Sequence, residues 1–304
     1  MNNQKGNISV IILFAMAVIL GMAAMVIDLG YVMLERQRLS DGVDAAALSG
    51  AQELVNGTTQ AKETAIQYAM ENGVNNPAIT FEGDYKITVT GKKEVPFFFA
   101  KIFGFNHTVV EAKASAQMKP LSSARGIVPL AVKAPNPEEE NYGFTYGSLY
   151  TLKYDPQHAA NGNFGPLALG GRGASNYEEN LLNGYEGVLS IGDVVDTEPG
   201  NMSGPTERAI SERIKLSSDC QTYELAKKNR NCKRVIYLPV IDDVNLKGRD
   251  KVTIIGFAAF YLEEVGGNGN QSYVTGRFLK TIYSGDWNDE NQHDIGLYAV
   301  KLVE

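Results

Sequence analysis

The sequence predicts an α+β chain carried on an N-terminal transmembrane helix. Three observations lead there: a membrane-length apolar run near the start, a helical period that continues beyond it, and short alternating apolar stretches through the rest. The 304 residues are 44% hydrophobic, as in packed globular structure, and suffice for one large domain or two ordinary ones. The formal net charge of -7 is spread without a long block of either sign, which argues against nucleic acid as a partner. His107, His158 and His293 stand far apart, so little supports a histidine-based metal site or general-base network.

The apolar run is bounded by Ile8 and Ile27, contains no ionisable side chain, and has Ser9 as its one hydroxyl. Twenty helical residues rise about 30 Å, the thickness of a bilayer's hydrocarbon core, and a helix satisfies its own backbone polar groups there. A secretory signal would have a stronger basic start and a shorter apolar stretch. Only Lys5 precedes this run, although Ala15-Met16-Ala17 and Gly21-Met22-Ala23 keep cleavage open as an alternative. Beyond Ile27 the pattern continues: Leu29, Val32, Leu39, Val43, Ala46, Ala47, Gly50 and Leu54 recur mostly at three- and four-residue steps without proline, predicting an amphipathic stem. Within it Gly42, Ala46 and Gly50 form a smooth face that permits close helix approach, either to the protein's own domain or at a seam between subunits. Asp28, just past the run, reads as an interfacial, solvated carboxylate.

Gly57 and two threonines break the stem. Residues 59–72 predict a second helix with Ala61, Ala65, Tyr68 and Ala69 on one face and Gly73 as its stop. YKITVTG and TVVEAKASAQM alternate as strands, with a short apolar helix in VPFFFAKIFGF between them. The five phenylalanines Phe97, Phe98, Phe99, Phe103 and Phe105 suit the core of a small domain better than an interaction patch. A boundary is expected near residues 119–124. The expected divisions are 1–55 for anchor and stem, 56–118 for a small helix-plus-sheet region of pilin-like layout, and 119–304 for a mostly antiparallel, β-rich domain. RVIYLPVID, KVTIIGFAAFYLEEV and SYVTGRFLKTIYSG are its clearest strands, and residues 176–182 and 205–216 its helices. Cys220 and Cys232 could both be free, but their spacing in a polar stretch suits a loop closed by a disulfide. Such a bond needs an oxidising compartment, so the body is expected outside the cytoplasm, where positive charges alone give no clear orientation.

The string KGNISVIILFAMAVILGMAAMVIDLGYVMLERQRLSDGVDAAALSGA resembles the N-terminal domain of TadE/TadG-like proteins of Flp (tight adherence) pilus systems. The shared order is Gly6, the apolar helix, Asp28-Leu29-Gly30, an Arg-containing stretch from Arg36 to Arg38, and the D-A-A-A-L-x-G-A-like string from Asp44. Processed members carry Glu at the fifth mature position. A cut after Gly6 would put Ile11 there, so the resemblance implies an uncleaved anchor. The Asp-x-Ser-x-Ser metal string of von Willebrand A modules, common in TadG-like members, is lacking. GNFGPLALGG, TEPGNMSGPT, CKRVIYLPVID and GFAAFYLE followed by TGRF resemble C-terminal parts of the same family and imply no chemistry.

Other strings carry less. TEPGNMSGPTERAI could hold an anion at a helix start, but Gly204 as N-cap, Pro205 at the first position and Glu207 in the first turn are ordinary helix-start chemistry. Asp286, Asn288 and Glu290 alternate like calcium ligands, yet Asn291 stands where an EF-hand needs glycine and Leu297 where it needs glutamate. GGRGAS is not a phosphate-binding P-loop, and G-x-S-x-G and H-E-x-x-H do not occur. The expectation is a non-catalytic, single-pass component of a Tad/Flp-type pilus assembly system in the bacterial cell membrane. Its expected partners are the lipid bilayer, pilus-assembly proteins or pseudopilins, and further copies through the N-terminal helix; no cofactor is expected. A membrane-anchored adhesin or envelope-binding protein is the alternative, and an extracytoplasmic enzyme the second.

Overall fold

The structure, a computed structural model, describes residues 5–139, 141–153, 164–198, 202–242, 250–267, 272–289 and 293–303. The chain forms two compact units, Met1–Met118 with Val300–Glu304, and Lys119–Ala299.

In the first unit the apolar run and the stem are one uninterrupted helix, α1 (Lys5–Glu53), whose 49 residues rise about 74 Å. Its end is set by the turn Leu54–Asn56 and by Gly57, whose φ of 105° suits a residue without Cβ. Helix α2 (Thr58–Glu71) folds back on it through Ala61, Ala65 and Ala69, all fully buried. Tyr68, expected on that face, is exposed, because only the four-residue step of the alanines follows the contact line. Strands β1 (Ala78–Glu82), β2 (Lys86–Pro96) and β3 (His107–Pro120) form an antiparallel meander. Its second hairpin stays in register from Lys86↔Gln117 to Pro96↔His107. Ile87, Val89 and Gly91 alternate inward on β2, and Ile87 and Val89 join Leu39, Val43 and Ala46 of α1 in one core. Stem and sheet therefore share a single interior, so the 1–55 and 56–118 regions make one body. Val300, from the chain's end, also packs on this core.

The second unit contains β4 (Ser123–Ala124), β5 (Leu130–Lys133), β6 (Leu149–Lys153), β7 (Phe164–Pro166), α3 (Ala174–Asn183), β8 (Leu189–Ser190), β9 (Val194–Asp196), α4 (Ser203–Lys215) and α5 (Tyr223–Lys228). It continues with β10 (Val235–Ile241), β11 (Lys251–Gly266), β12 (Tyr273–Leu279), β13 (Thr281–Ile282), β14 (Gly285–Asp286) and β15 (Leu297–Val303), of which the last residues belong to the first unit. The main sheet has the order β6-β12-β11-β10-β5-β7, antiparallel except for β10 with β5. Its central strands read as continuous apolar runs because both faces are covered. Along β11, Ala258, Phe260 and Leu262 enter one core with Tyr177, Leu181 and Ile210 of the helices. Phe257, Ala259 and Tyr261 enter the opposite core, which holds Cys220, Cys232 and Leu297. Helix α4 starts at Ser203 with Met202 as N-cap, two residues before the expected Gly204, and Pro205 sits in the first turn, where a backbone N–H is dispensable.

Candidate membrane anchor and packing face

Helix α1 changes character at Asp28. Between Ile8 and Ile27 the large side chains are exposed throughout, from Ile8 and Leu13 to Met25 and Ile27. Among the described residues this is the one helix long and apolar enough to cross a membrane. Beyond it the buried positions are Asp28, Glu35, Leu39, Gly42, Val43, Ala46, Ala47, Gly50 and Ala51, a stripe at three-, four- and seven-residue steps. Leu29, counted above in the apolar period, is exposed, and Asp28 takes the inward place beside it.

The small-residue face is filled from within the first unit. A Cβ on Gly50 would lie 2.8 Å from the Ala65 Cβ, 3.0 Å from the Ala61 carbonyl oxygen and 2.7 Å from the Ile87 Cδ1. One on Gly42 would lie 2.6 Å from the Val74 Cγ2 and 3.2 Å from the Asn72 carbonyl oxygen. Ala46, between them, is fully buried. Of the two occupants the spacing allowed, the protein's own helix and strand are the ones present.

Two carboxylates fix the sheet to the stem. Glu35, 3% exposed, accepts from Lys93 on β2 and from the Arg38 Nη1 at 2.9 Å. The Lys93 ammonium above all, with the Arg38 guanidinium, holds the Glu35 carboxyl below its ordinary range. Asp28 is only 5% exposed. Its carboxylate accepts three backbone N–H groups from the tip of the β2–β3 hairpin: Phe98 at 2.7 Å, Phe99 at 3.0 Å and Ala100 at 2.7 Å. The solvated Asp expected from its position after the apolar run is thus a buried acceptor, paired with residues seventy positions away that no local pattern indicates. The tip contains a short 3₁₀ turn, Ala100–Phe103, and Phe98 meets the Tyr31 ring edge-on at 5.0 Å. Its aromatics do not fill a core: Phe98, Phe99, Phe103 and Phe105 are all exposed.

In the second unit Cys220 and Cys232 lie at disulfide distance, with Cα atoms 5.9 Å apart on either side of α5. The candidate anion loop includes Pro199, Gly200 and Asn201, outside the described residues. The enclosed space beside Met202 and Thr206 is about 10 Å³, room for one water at most. Asp286 uses its carbonyl oxygen to accept from Ser122 and its carboxylate to accept from the Trp287 N–H, as a turn residue does. Glu290 and Asn291 lie outside the described residues, as does His158. His293 stacks on Tyr142 with ring centroids 4.1 Å apart. Among the described residues no three His, Cys, Asp or Glu side chains gather to hold a metal ion.

No curated protein and no solved structure matches the chain. The membrane-length run and the small-residue face together do have a counterpart: residues 6–53 match the Tad family model, described as "Putative Flp pilus-assembly TadE/G-like".

Proposed function

We propose that this protein is a non-catalytic component of a Tad/Flp-type pilus assembly system, held in the bacterial cell membrane by residues 8–27 with its body outside the cytoplasm. The observation that carries the reading is the Tad match over residues 6–53, which coincides with α1 and includes both its unpacked apolar half and its packed half. An exposed apolar helix of this length is costly in water and at home in lipid. The cysteine pair at disulfide distance supports the outward placement of the body, since such bonds persist in oxidising compartments. Partners are then pilus-assembly proteins or pseudopilins. Because Gly42, Ala46 and Gly50 are occupied internally, association of α1 with another subunit uses its outer surface or its membrane half.

The test is genetic complementation. Deleting the gene should abolish or sharply reduce Flp-type pili counted by electron microscopy. The full chain should restore them, and a chain lacking residues 8–27 should leave the membrane fraction and fail to restore them. Undiminished piliation in the deletion strain refutes the assembly role; restoration by the anchorless chain refutes the anchor.

A further inference from the structure

Among the described residues, the tip of the β2–β3 hairpin is the one cluster of exposed phenylalanines outside the apolar helix. Ile102 is 79% exposed and Phe103 80%, with Phe98, Phe99 and Phe105 exposed beside them. The tip lies along α1, and between them is an apolar groove of about 960 Å³, lined on the helix side from Leu20 to Leu29 and on the tip side by Phe99, Ile102, Phe103 and Phe105. From Leu20 to Ile27 the helix rises about 10 Å, so a tip facing those residues lies within the outer hydrocarbon layer whenever the apolar run spans the bilayer.

The backbone is equipped for that depth. In lipid a polar backbone group must be satisfied within the protein. The Phe97 N–H donates to the Asn106 carbonyl, Ile102 to Phe99, Gly104 to Lys101 and Phe105 to Ala100. Three further groups, those of Phe98, Phe99 and Ala100 at the start of the turn, donate to Asp28. Lys101, the one cation in the turn, is exposed and has a stem long enough to carry its ammonium to the headgroups.

We propose that residues 97–105 are a second membrane-inserting element, entering the same leaflet as the upper end of α1, with lipid acyl chains occupying the groove between them. The inference rests on residues 8–27 spanning the bilayer, which the experiment checks separately. The exposed apolar surface of the tip continues that of the helix, and one solvent covers both. The anchor is therefore a helix with a lateral foot, and the foot fixes the depth and rotation of α1 in the leaflet.

The two native cysteines lie at disulfide distance from each other, so with that bond formed a single introduced cysteine is a unique labelling site. Full-length protein carrying Phe103→Cys, Met22→Cys, Leu13→Cys or Asp84→Cys is nitroxide-labelled and reconstituted into phosphatidylcholine–phosphatidylglycerol vesicles. Depth is read by electron paramagnetic resonance from collisions with oxygen, which favours lipid, and with a water-soluble nickel chelate. The proposal expects the Phe103 label to be oxygen-accessible, shielded from nickel, and within about 5 Å, one helical turn, of the depth at Met22. Asp84, at the other end of the sheet, should report water and Leu13 the hydrocarbon core. A nickel-accessible label at Phe103 with Leu13 in lipid overturns the foot and leaves the anchor standing. Nickel access at Leu13 overturns both. A Phe103 label shielded from both reagents means that a protein surface covers the tip, and also overturns the proposal.

Discussion

Gly50→Ala adds one methyl group to the stem, and its sign separates internal packing from every looser arrangement. Carbon atoms in favourable contact stand about 3.5–4.0 Å apart, whereas the new Cβ would be 2.8 Å from the Ala65 Cβ and 3.0 Å from the Ala61 carbonyl oxygen. The Ile87 Cδ1, at 2.7 Å, can rotate away; the other two are fixed to the backbone of α2. The two helices must therefore part by several tenths of an ångström, overpacking that costs about 1–3 kcal/mol. Alanine recovers about 1 kcal/mol of helix propensity, leaving a net loss of about 0–2 kcal/mol. Gly30 on the same helix is the control, since a Cβ there meets nothing within 4 Å, and Gly30→Ala should be neutral or stabilising by up to about 1 kcal/mol. Chemical denaturation of the full-length variants in detergent, followed by circular dichroism, measures both. Equal stability of Gly50→Ala and Gly30→Ala would refute the close α1–α2 packing. Gly50→Leu should be worse than Gly50→Ala, and unchanged melting for all three would remove the packing face altogether.

Asp28→Asn removes the charge and leaves one oxygen for three donors, so about 1–3 kcal/mol of local stability should be lost, seen as faster hydrogen exchange at Phe98, Phe99 and Ala100; unaltered exchange would refute the cap. The Glu35 carboxyl is lowered in the folded state, so its contribution is fully present above the ordinary value of 4.5 and is lost as pH falls toward the folded value. Lys93→Met should lower the melting temperature at neutral pH and flatten its decline on acidification, and an unaltered acid limb would contradict the pairing. Mass mapping without reductant should find Cys220 joined to Cys232, and reduction should cost roughly 3 kcal/mol on the loop-entropy model; two free thiols in protein taken directly from cells would also remove the support for outward placement.

What could be read from the sequence was what is local. The apolar run, the break at Gly57, the alanine helix and the alternating strands each announce themselves within a dozen residues, and all stand where their patterns put them. The glycine-alanine face announced close approach but not what approaches, because Ala65 and Ile87 come to it only through the tertiary fold. Two misreadings share a cause. The place of Asp28 after the apolar run points to solvent and the clustering of the phenylalanines to a core, and neither pattern shows what lies across from it in the fold. The hairpin brings residues 97–105 back alongside the upper end of the apolar run, where their N–H groups enclose the Asp28 carboxylate and their rings stay outside the core. The early start of α4 is an ordinary boundary shift, since Gly204 and Pro205 are compatible with either position in a first turn.

The return of Val300 to the first unit bears on the order in which the protein is made. All of Lys119–Ala299 is synthesised between β3 and the segment that packs Val300 against the first unit's core. The first unit thus makes its contacts with Val300 last, at very long sequence separation, where contacts are slow to form. Until then the second unit is free to fold within a loop whose two ends are not yet joined. Removing residues 300–303 would accordingly loosen the first unit, not the one nearest to them in sequence.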